Sequence, residues 1–315
     1  MLNLTLVDFL DKDTVVNTLN IFKPNFYMSS QPSPRKILQT LLPHLRVAAG
    51  YAQQIQNKII SLPDKDAGGN FLSAALTDAD LSIQTLVEVA LLGTFPELHF
   101  YGEEYEKSRN TKYFTSTKLG TKDNYLITLD PIDGTKYYLD GFNNYQIILG
   151  ILNESHYEAL ITVSPAQDCY YYTLKDRGVF KGKLEQDLNE CQPLEITNPS
   201  PHILLGWGMA HLKPALQDKY RVIDIENSYS SSQQFPNYNG IFSGDLIGWI
   251  TKRGKFIDSA ALAFMAQENG CIVTGLDGLP LPPLYTCKNY SYEGAIIANS
   301  PQLHQDLLAA CQKFA

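Results

Sequence analysis

The chain reads as a layered protein of mixed helices and strands, α/β or α+β, and not as a barrel. Two long stretches repeat apolar residues at three- and four-residue steps, as helices that face a core do. Several short apolar runs bounded by turn residues read as strands. These elements follow one another without strict βαβ alternation. With 315 residues, 44% of them hydrophobic, the chain can bury a large core in one domain or in two packed halves.

The first helical pattern runs from Pro34 to about Ile60, with Ile37, Leu41, Leu45, Ala48, Ala52 and Ile55 on one face. Ser33-Pro34 fits an N-cap and first-turn pair, and Pro43 is placed to kink or interrupt the helix. Residues 61–77 form a loop whose Gly68-Gly69 pair suits a hinge. A second helix follows Thr77-Asp78 and ends near Gly93. LHFYG (98–102) is a short strand running into Glu103-Glu104, and Tyr125–Leu129 is an apolar strand ending at Asp130. A short helical piece comes next, then strands at 145–152, 158–164 and 168–174 and a hairpin at Arg177–Gly182. The second half has strands near 203–207 and 221–225, and helices at about Asp258–Asn269 and Pro301–Phe314. Tyr170-Tyr171-Tyr172 reads as a cross-strand aromatic face rather than a platform for stacking bases.

Composition narrows the function. The net charge is −8, with 25 Lys+Arg against 33 Asp+Glu, so no nucleic-acid polymer is expected as a partner. An acidic protein that handles an anion needs local positive charge, which bound metal ions can supply. The five cysteines form no CxxC pair and read as free buried thiols in a reducing compartment. The start lacks a basic n-region and does not read as a signal peptide. No apolar run reaches the ~18–20 residues of a membrane span, and a cytoplasmic protein is expected. The six histidines show no metal-ligand spacing.

The strongest motif is Leu129-Asp130-Pro131-Ile132-Asp133-Gly134-Thr135. Two carboxylates lie three residues apart at the end of an apolar strand, across a turn that Pro131 stiffens. Gly134 lets the backbone approach a ligand closely, and the Gly134 and Thr135 amides could hold a phosphate. Two such carboxylates repel unless a hard cation sits between them, and Mg²⁺ suits that place. A plain Asp-Pro/Asp-Gly turn is the bland alternative. Aspartyl-phosphate chemistry needs an Asp two residues before the second Asp, and Pro131 stands there. Three further acidic motifs, each alone a plain helix start, are Thr77-Asp78-Ala79-Asp80, Gly102-Glu103-Glu104 and Asp258-Ser259-Ala260-Ala261.

Taken together, T-x-x-D, G-E-E, D-P-I-D-G-T and D-x-A-A over about residues 34 to 300 resemble the inositol monophosphatase superfamily. That group includes bisphosphate nucleotidases and fructose-1,6-bisphosphatases. The resemblance implies an α+β fold in αβαβα layers of the sugar-phosphatase type. Residues 1–33 would be an N-terminal extension, 34–165 a metal-binding half and 166–315 a second half closing the site. It implies a Mg²⁺-dependent phosphomonoesterase with two or three ions, acting on a small phosphorylated substrate through metal-activated water, and a homodimer. Glu103, Asp130 and the Ile132 carbonyl would hold one ion, Asp130, Asp133 and Asp258 a second, and Asp80 and Glu103 a weaker third. Catalysis would draw on Glu103, Asp80 and Thr135, with Thr135 bonded to Asp80 or to the attacking water.

Lys136 after the motif is similar to the 3'(2'),5'-bisphosphate nucleotidase branch and could meet a second phosphate; a solvated helix-start lysine is the alternative. A non-catalytic relative that binds metal or phosphate is a further alternative. Ile257 stands where the family usually has Trp, and Thr251 near its usual Glu. Ser228–Gln233 has no clear counterpart, and Lys65 is the nearest match to the family's loop lysine.

Overall fold

The computed structural model describes residues 31–58, 77–104, 111–114 and 124–314. The extension up to residue 30, the loop with Gly68-Gly69, and Lys65 lie outside the described residues. Ser33–Ala315 form one compact unit.

Helix α1 (Pro34–Ile55) starts where local chemistry directs. The Ser33 hydroxyl accepts the Lys36 N–H, and Pro34 fills the first turn. Its buried face carries Ile37, Leu41, Leu45, Ala48 and Ala52. Pro43 does not end it; the helix passes into a 3₁₀ turn only at Gln56–Lys58. Helix α2 (Asp78–Thr94) opens on a reciprocal cap. The Thr77 hydroxyl accepts the Asp80 N–H while the Asp80 carboxylate accepts the Thr77 N–H.

The first sheet holds β1 (His99–Gly102), β2 (Leu126–Asp133), β3 (Gln146–Leu152), β4 (Tyr157–Ser164), β5 (Cys169–Leu174), β6 (Val179–Lys183) and β7 (Gln192–Pro193), side by side in that order. Only β1 and β2 are parallel, with Gly102 opposite Leu129. The second sheet combines β8 (His202–Leu205), β9 (Arg221–Asp224), β10 (Gly248–Thr251), β12 (Ile272–Thr274) and β14 (Ala295–Ala298), in the order β12-β14-β10-β8-β9. A two-stranded ribbon pairs β11 (Gly254–Lys255) with β13 (Ser291–Tyr292). The remaining helices used below are α3 (Thr135–Leu139), α4 (Gly240–Ser243), α5 (Ser259–Glu268) and α6 (Pro301–Lys313).

Three apolar cores separate five layers. The outer core packs α1 and α2 on one face of the first sheet through Ile147, Leu149 and Ile151. The middle core packs the other face, with Ile148 and Leu152, against α4, α5 and Trp249 of β10. The third packs the far face of the second sheet on α6 through Leu303 and Leu307. The layers are αβαβα, as the resemblance implies. A strand covered on both faces reads as a continuous apolar run, and β3, QIILGIL, is buried at every position. Each such Leu or Ile contributes roughly 1.5–3 kcal/mol when fully buried. The three tyrosines of β5 alternate in the same way. Tyr170 and Tyr172 enter the outer core and Tyr171 the middle one. Tyr172 stacks on Phe180 directly across the ladder, ring centroids 5.2 Å apart, so this is the cross-strand face that was expected.

All five cysteines are free thiols. Cys169, Cys191 and Cys311 are buried, whereas Cys271 and Cys287 are only half-buried. No helix among the described residues is long and apolar enough to cross a membrane.

Candidate active site

The acidic motif does not leave the sheet at Asp130. β2 continues to Asp133, and its ladder with β3 slips between Asp130↔Ile148 and Asp133↔Gln146. Two residues on β2, Pro131 and Ile132, face one on β3, Ile147, a bulge that re-aims side chains at the strand end. Gly134 then takes φ +87, in the left-handed region. Thr135 opens α3, with the Tyr138 N–H on the Gly134 carbonyl at 3.0 Å.

Parallel pairing brings β1 to the same edge. The Glu103 N–H continues the ladder onto the Leu129 carbonyl at 2.9 Å, which sets Glu103 beside Asp130. Asp130 is 3% exposed. From α2, the fully buried Asp80 accepts the Thr77 N–H (2.9 Å) and hydroxyl (2.5 Å) on Oδ2. Its Oδ1 lies 3.4 Å from Thr135 Oγ1, which donates more closely to the Ile132 carbonyl at 2.9 Å. Asp80, Ile132 and Thr135 therefore meet at the start of α3. Asp258 arrives from the second half as the N-cap of α5. Its Oδ1 accepts the Ser259 N–H, and the Ser259 hydroxyl at 2.7 Å. Lys255 Nζ stands 3.9 Å from its other oxygen.

These carboxylates feel one another. Burial first, then the charges of Asp258 and Glu103, raise the Asp133 carboxyl from 3.8 to about 7. Its Oδ2 accepts amide N–H bonds from Gln146 (2.8 Å) and Asn237 (3.1 Å), which pull the other way. Burial raises Asp258 too, opposed by Lys255 and Ser259 and reinforced by Glu103, although the side chain keeps 23% of its surface open. Among the described residues, no three His, Cys, Asp or Glu side chains close on a common point as they stand; Asp80, Asp133 and Asp258 turn to local donors. The donor set still fits a hard divalent cation. It consists of carboxylate oxygens and a main-chain carbonyl, with Asp80 and Asp130 buried and Glu103, Asp133 and Asp258 half-buried.

A pH dependence follows. In chelator the folded state holds a proton on Asp133 that the unfolded chain has released. Stability should therefore fall as pH rises from 3.8 toward about 7. Thermal melts across that range check this, and saturating Mg²⁺ should remove the fall.

Lys136 Nζ is paired with Asp140 at 2.9 Å, one helical turn on, and the same Asp140 accepts the Tyr229 hydroxyl. Ile257 is buried at 3% exposure. The Thr251 hydroxyl donates to the Arg253 carbonyl at 2.7 Å. None of the six histidines joins the carboxylate group: His99, His156, His202 and His304 bond to Asn124, Glu158, Ser200 and Thr274. Three buried amides were not anticipated. Gln84 accepts the Glu104 N–H at 2.9 Å, and Gln146 and Asn237 share Asp133. Gln84 alone had a signal, since it lies four residues after Asp80 on the same helical face.

This arrangement, acidic residues from two strand ends and two helix starts in an αβαβα sandwich, defines a class of phosphate-ester hydrolases. The chain belongs to the inositol monophosphatase family, whose model matches residues 44–314. A probable inositol 1-monophosphatase of Mycobacterium tuberculosis is 27% identical over 242 residues, 74% of this chain and 80% of that protein. A histidinol-phosphatase of Streptomyces coelicolor is 23% identical over 242 residues, 74% and 82% of the two chains. The fold matches that of an IMPase/NADP phosphatase solved with Mg²⁺ and phosphate, at TM-score 0.59 and 20% identity, over 87% of this chain and 94% of that one.

Proposed function

We propose that this chain is a Mg²⁺-dependent phosphomonoesterase acting on a small phosphorylated metabolite. The observation that carries the reading is the gathering of acidic side chains at one sheet edge: Glu103 follows β1 beside Asp130 of β2, Asp80 meets Thr135 behind them, and the charges of Glu103 and Asp258 bear on Asp133. Glu103, Asp130 and the Ile132 carbonyl would hold one ion, and Asp130, Asp133 and Asp258 another. Asp80 and Glu103 would lend oxygens to a weaker third. Bound there, Mg²⁺ would supply Lewis-acid charge and lower the pKa of water.

The chain's own groups do the positioning. The single Thr135 hydroxyl proton lies toward the Ile132 carbonyl at 2.9 Å with Asp80 Oδ1 3.4 Å away, so the Oγ1 lone pairs are left to accept a hydrogen bond from the attacking water. Asp80, buried and fixed by Thr77, would take the Thr135 proton as Thr135 takes one from that water. The Gly134 and Thr135 amides would meet the phosphoryl oxygens. Lys136 spends one of its three N–H donors on Asp140 and keeps 30% of its side chain open, so the others could meet a second phosphate of a bisphosphate substrate.

Phosphate release from a panel tests this. The panel comprises inositol-1-phosphate, histidinol phosphate, adenosine 3',5'-bisphosphate, fructose-1,6-bisphosphate and an aryl phosphate, each with Mg²⁺ and with chelator. Chelator-sensitive release from one member is expected and names the substrate class. Mg²⁺ binding without release from any member points instead to a non-catalytic relative.

A further inference from the structure

The stretch from Tyr229 to Asn239 lies between the Ile225–Ser228 turn and α4, and no strand of either sheet falls within it. Four bonds nevertheless tie it across the end of β2 and the residues after it. The Tyr229 hydroxyl donates to Asp140. The Asn143 N–H donates to Gln234 Oε1 (3.1 Å), and Asn144 Nδ2 to the Phe235 carbonyl (2.5 Å). Asn237 Nδ2 donates to Asp133 Oδ2 at 3.1 Å. The last differs from the others because it lands on a carboxylate of the site.

Asn237 is 4% exposed, and its amide has one sensible orientation. Its Oδ1 accepts the Tyr238 N–H at 2.7 Å, so the NH₂ group must face Asp133. Gly134 makes room for it: a Cβ there would stand 3.2 Å from Asn237 Nδ2. Behind Asn237 the backbone is anchored. The Gly240 N–H bonds to its carbonyl at 2.8 Å, and Tyr238 packs on Trp249 of the second sheet with ring centroids 5.4 Å apart. The same Asp133 oxygen takes Gln146 Nε2 from β3 at 2.8 Å, and Gln146 is fully buried.

Resting on the metal-site reading above, we propose that Asn237 is a positioning residue. With Gln146 it holds one oxygen of Asp133 so that the other is presented to the cation, and it links this ligand to the second sheet. Two neutral amides suit the task. They fix the plane of a carboxylate by charge-assisted bonds yet bring no positive charge to compete with the metal. A lysine in either place would neutralise Asp133 instead.

The test is calorimetric titration of Mg²⁺ into chelator-treated wild type, Asn237→Ala, Asn237→Asp and Gln146→Leu, with melting temperatures of each in chelator and in Mg²⁺. Asn237→Ala should loosen Mg²⁺ about 10-fold or more, as loss of the group behind a metal ligand does. Gln146→Leu should shift affinity the same way. Asn237→Asp sets a second acid against Asp133, so it should melt early in chelator and gain more than wild type when Mg²⁺ is added. A purely structural Asn237 would lower the melting temperature equally with and without Mg²⁺ and leave its affinity unchanged, which overturns the proposal. If wild type itself takes up no Mg²⁺, the metal-site reading falls and takes this inference with it. If wild type binds Mg²⁺ and both amide variants bind it equally well, only this inference falls.

Discussion

Asp133→Asn should lower phosphate release by about 100-fold or more, since it removes a charged ligand and not merely a group behind one. The same change should leave the metal-free protein as stable as wild type, or more so. The two effects have one cause. Burial and the charges of Asp258 and Glu103 disfavour the ionised Asp133 carboxyl. A neutral amide escapes that penalty. Its oxygen can still accept both N–H bonds now made by Gln146 and Asn237. Activity assays in Mg²⁺ and thermal melts in chelator separate the effects. The melting temperature in chelator should hold or rise, while the increase on adding Mg²⁺ should shrink. Ordinary turnover by Asp133→Asn would remove this residue from the site.

Gly102→Ala should destabilise the protein by about 1–3 kcal/mol, as overpacking of a filled core does. Gly102 is the last residue of β1, immediately before Glu103. A Cβ there would lie 2.3 Å from Gln84 Oε1 and 2.5 Å from its Cδ. Gln84 cannot swing aside cheaply. It is fully buried, its Nε2 donates to Glu88 at 3.0 Å, and its Oε1 accepts the Glu104 N–H at 2.9 Å. If the glutamine yields, the Glu103-Glu104 turn loses its fastening and Mg²⁺ binding should weaken as well. Urea denaturation measures the first effect and Mg²⁺ titration the second. In the double variant Gly102→Ala/Gln84→Ala the clash is absent, so its loss should be smaller than the sum of the two single-variant losses.

Much of the fold is legible in the chain because it is set by neighbours. Ser33-Pro34 starts α1 with bonds spanning three residues, and Thr77 and Asp80 cap α2 within one turn. β3 shows itself because burial on both faces leaves an unbroken apolar run. The strands that stayed hidden are short and paired at a distance. β14, four residues long, lies between β12 and β10, and nothing local marks that place. The motif of Asp130 and Asp133 announced the site but not its shape. A turn was expected, whereas the strand continues and bulges, because the β3 ladder holds Asp133 as well as Asp130.

The supporting amides were harder still. Gln146 reaches Asp133 across 13 residues, and Asn237 across 104. Such partners follow from topology, and no periodicity encodes them. Asp140 was within reach of a sequence reading. It stands four residues after Lys136, where helical neighbours of opposite charge pair.

Calorimetric titration of Mg²⁺ into the chelator-treated protein, beside the variant Asp130→Asn/Asp133→Asn, tests the central claim most directly. Saturable uptake of at least two ions by wild type, reduced or lost in the variant while both remain folded, is the result the site predicts. Equal uptake by the two proteins, or none by wild type, would contradict it.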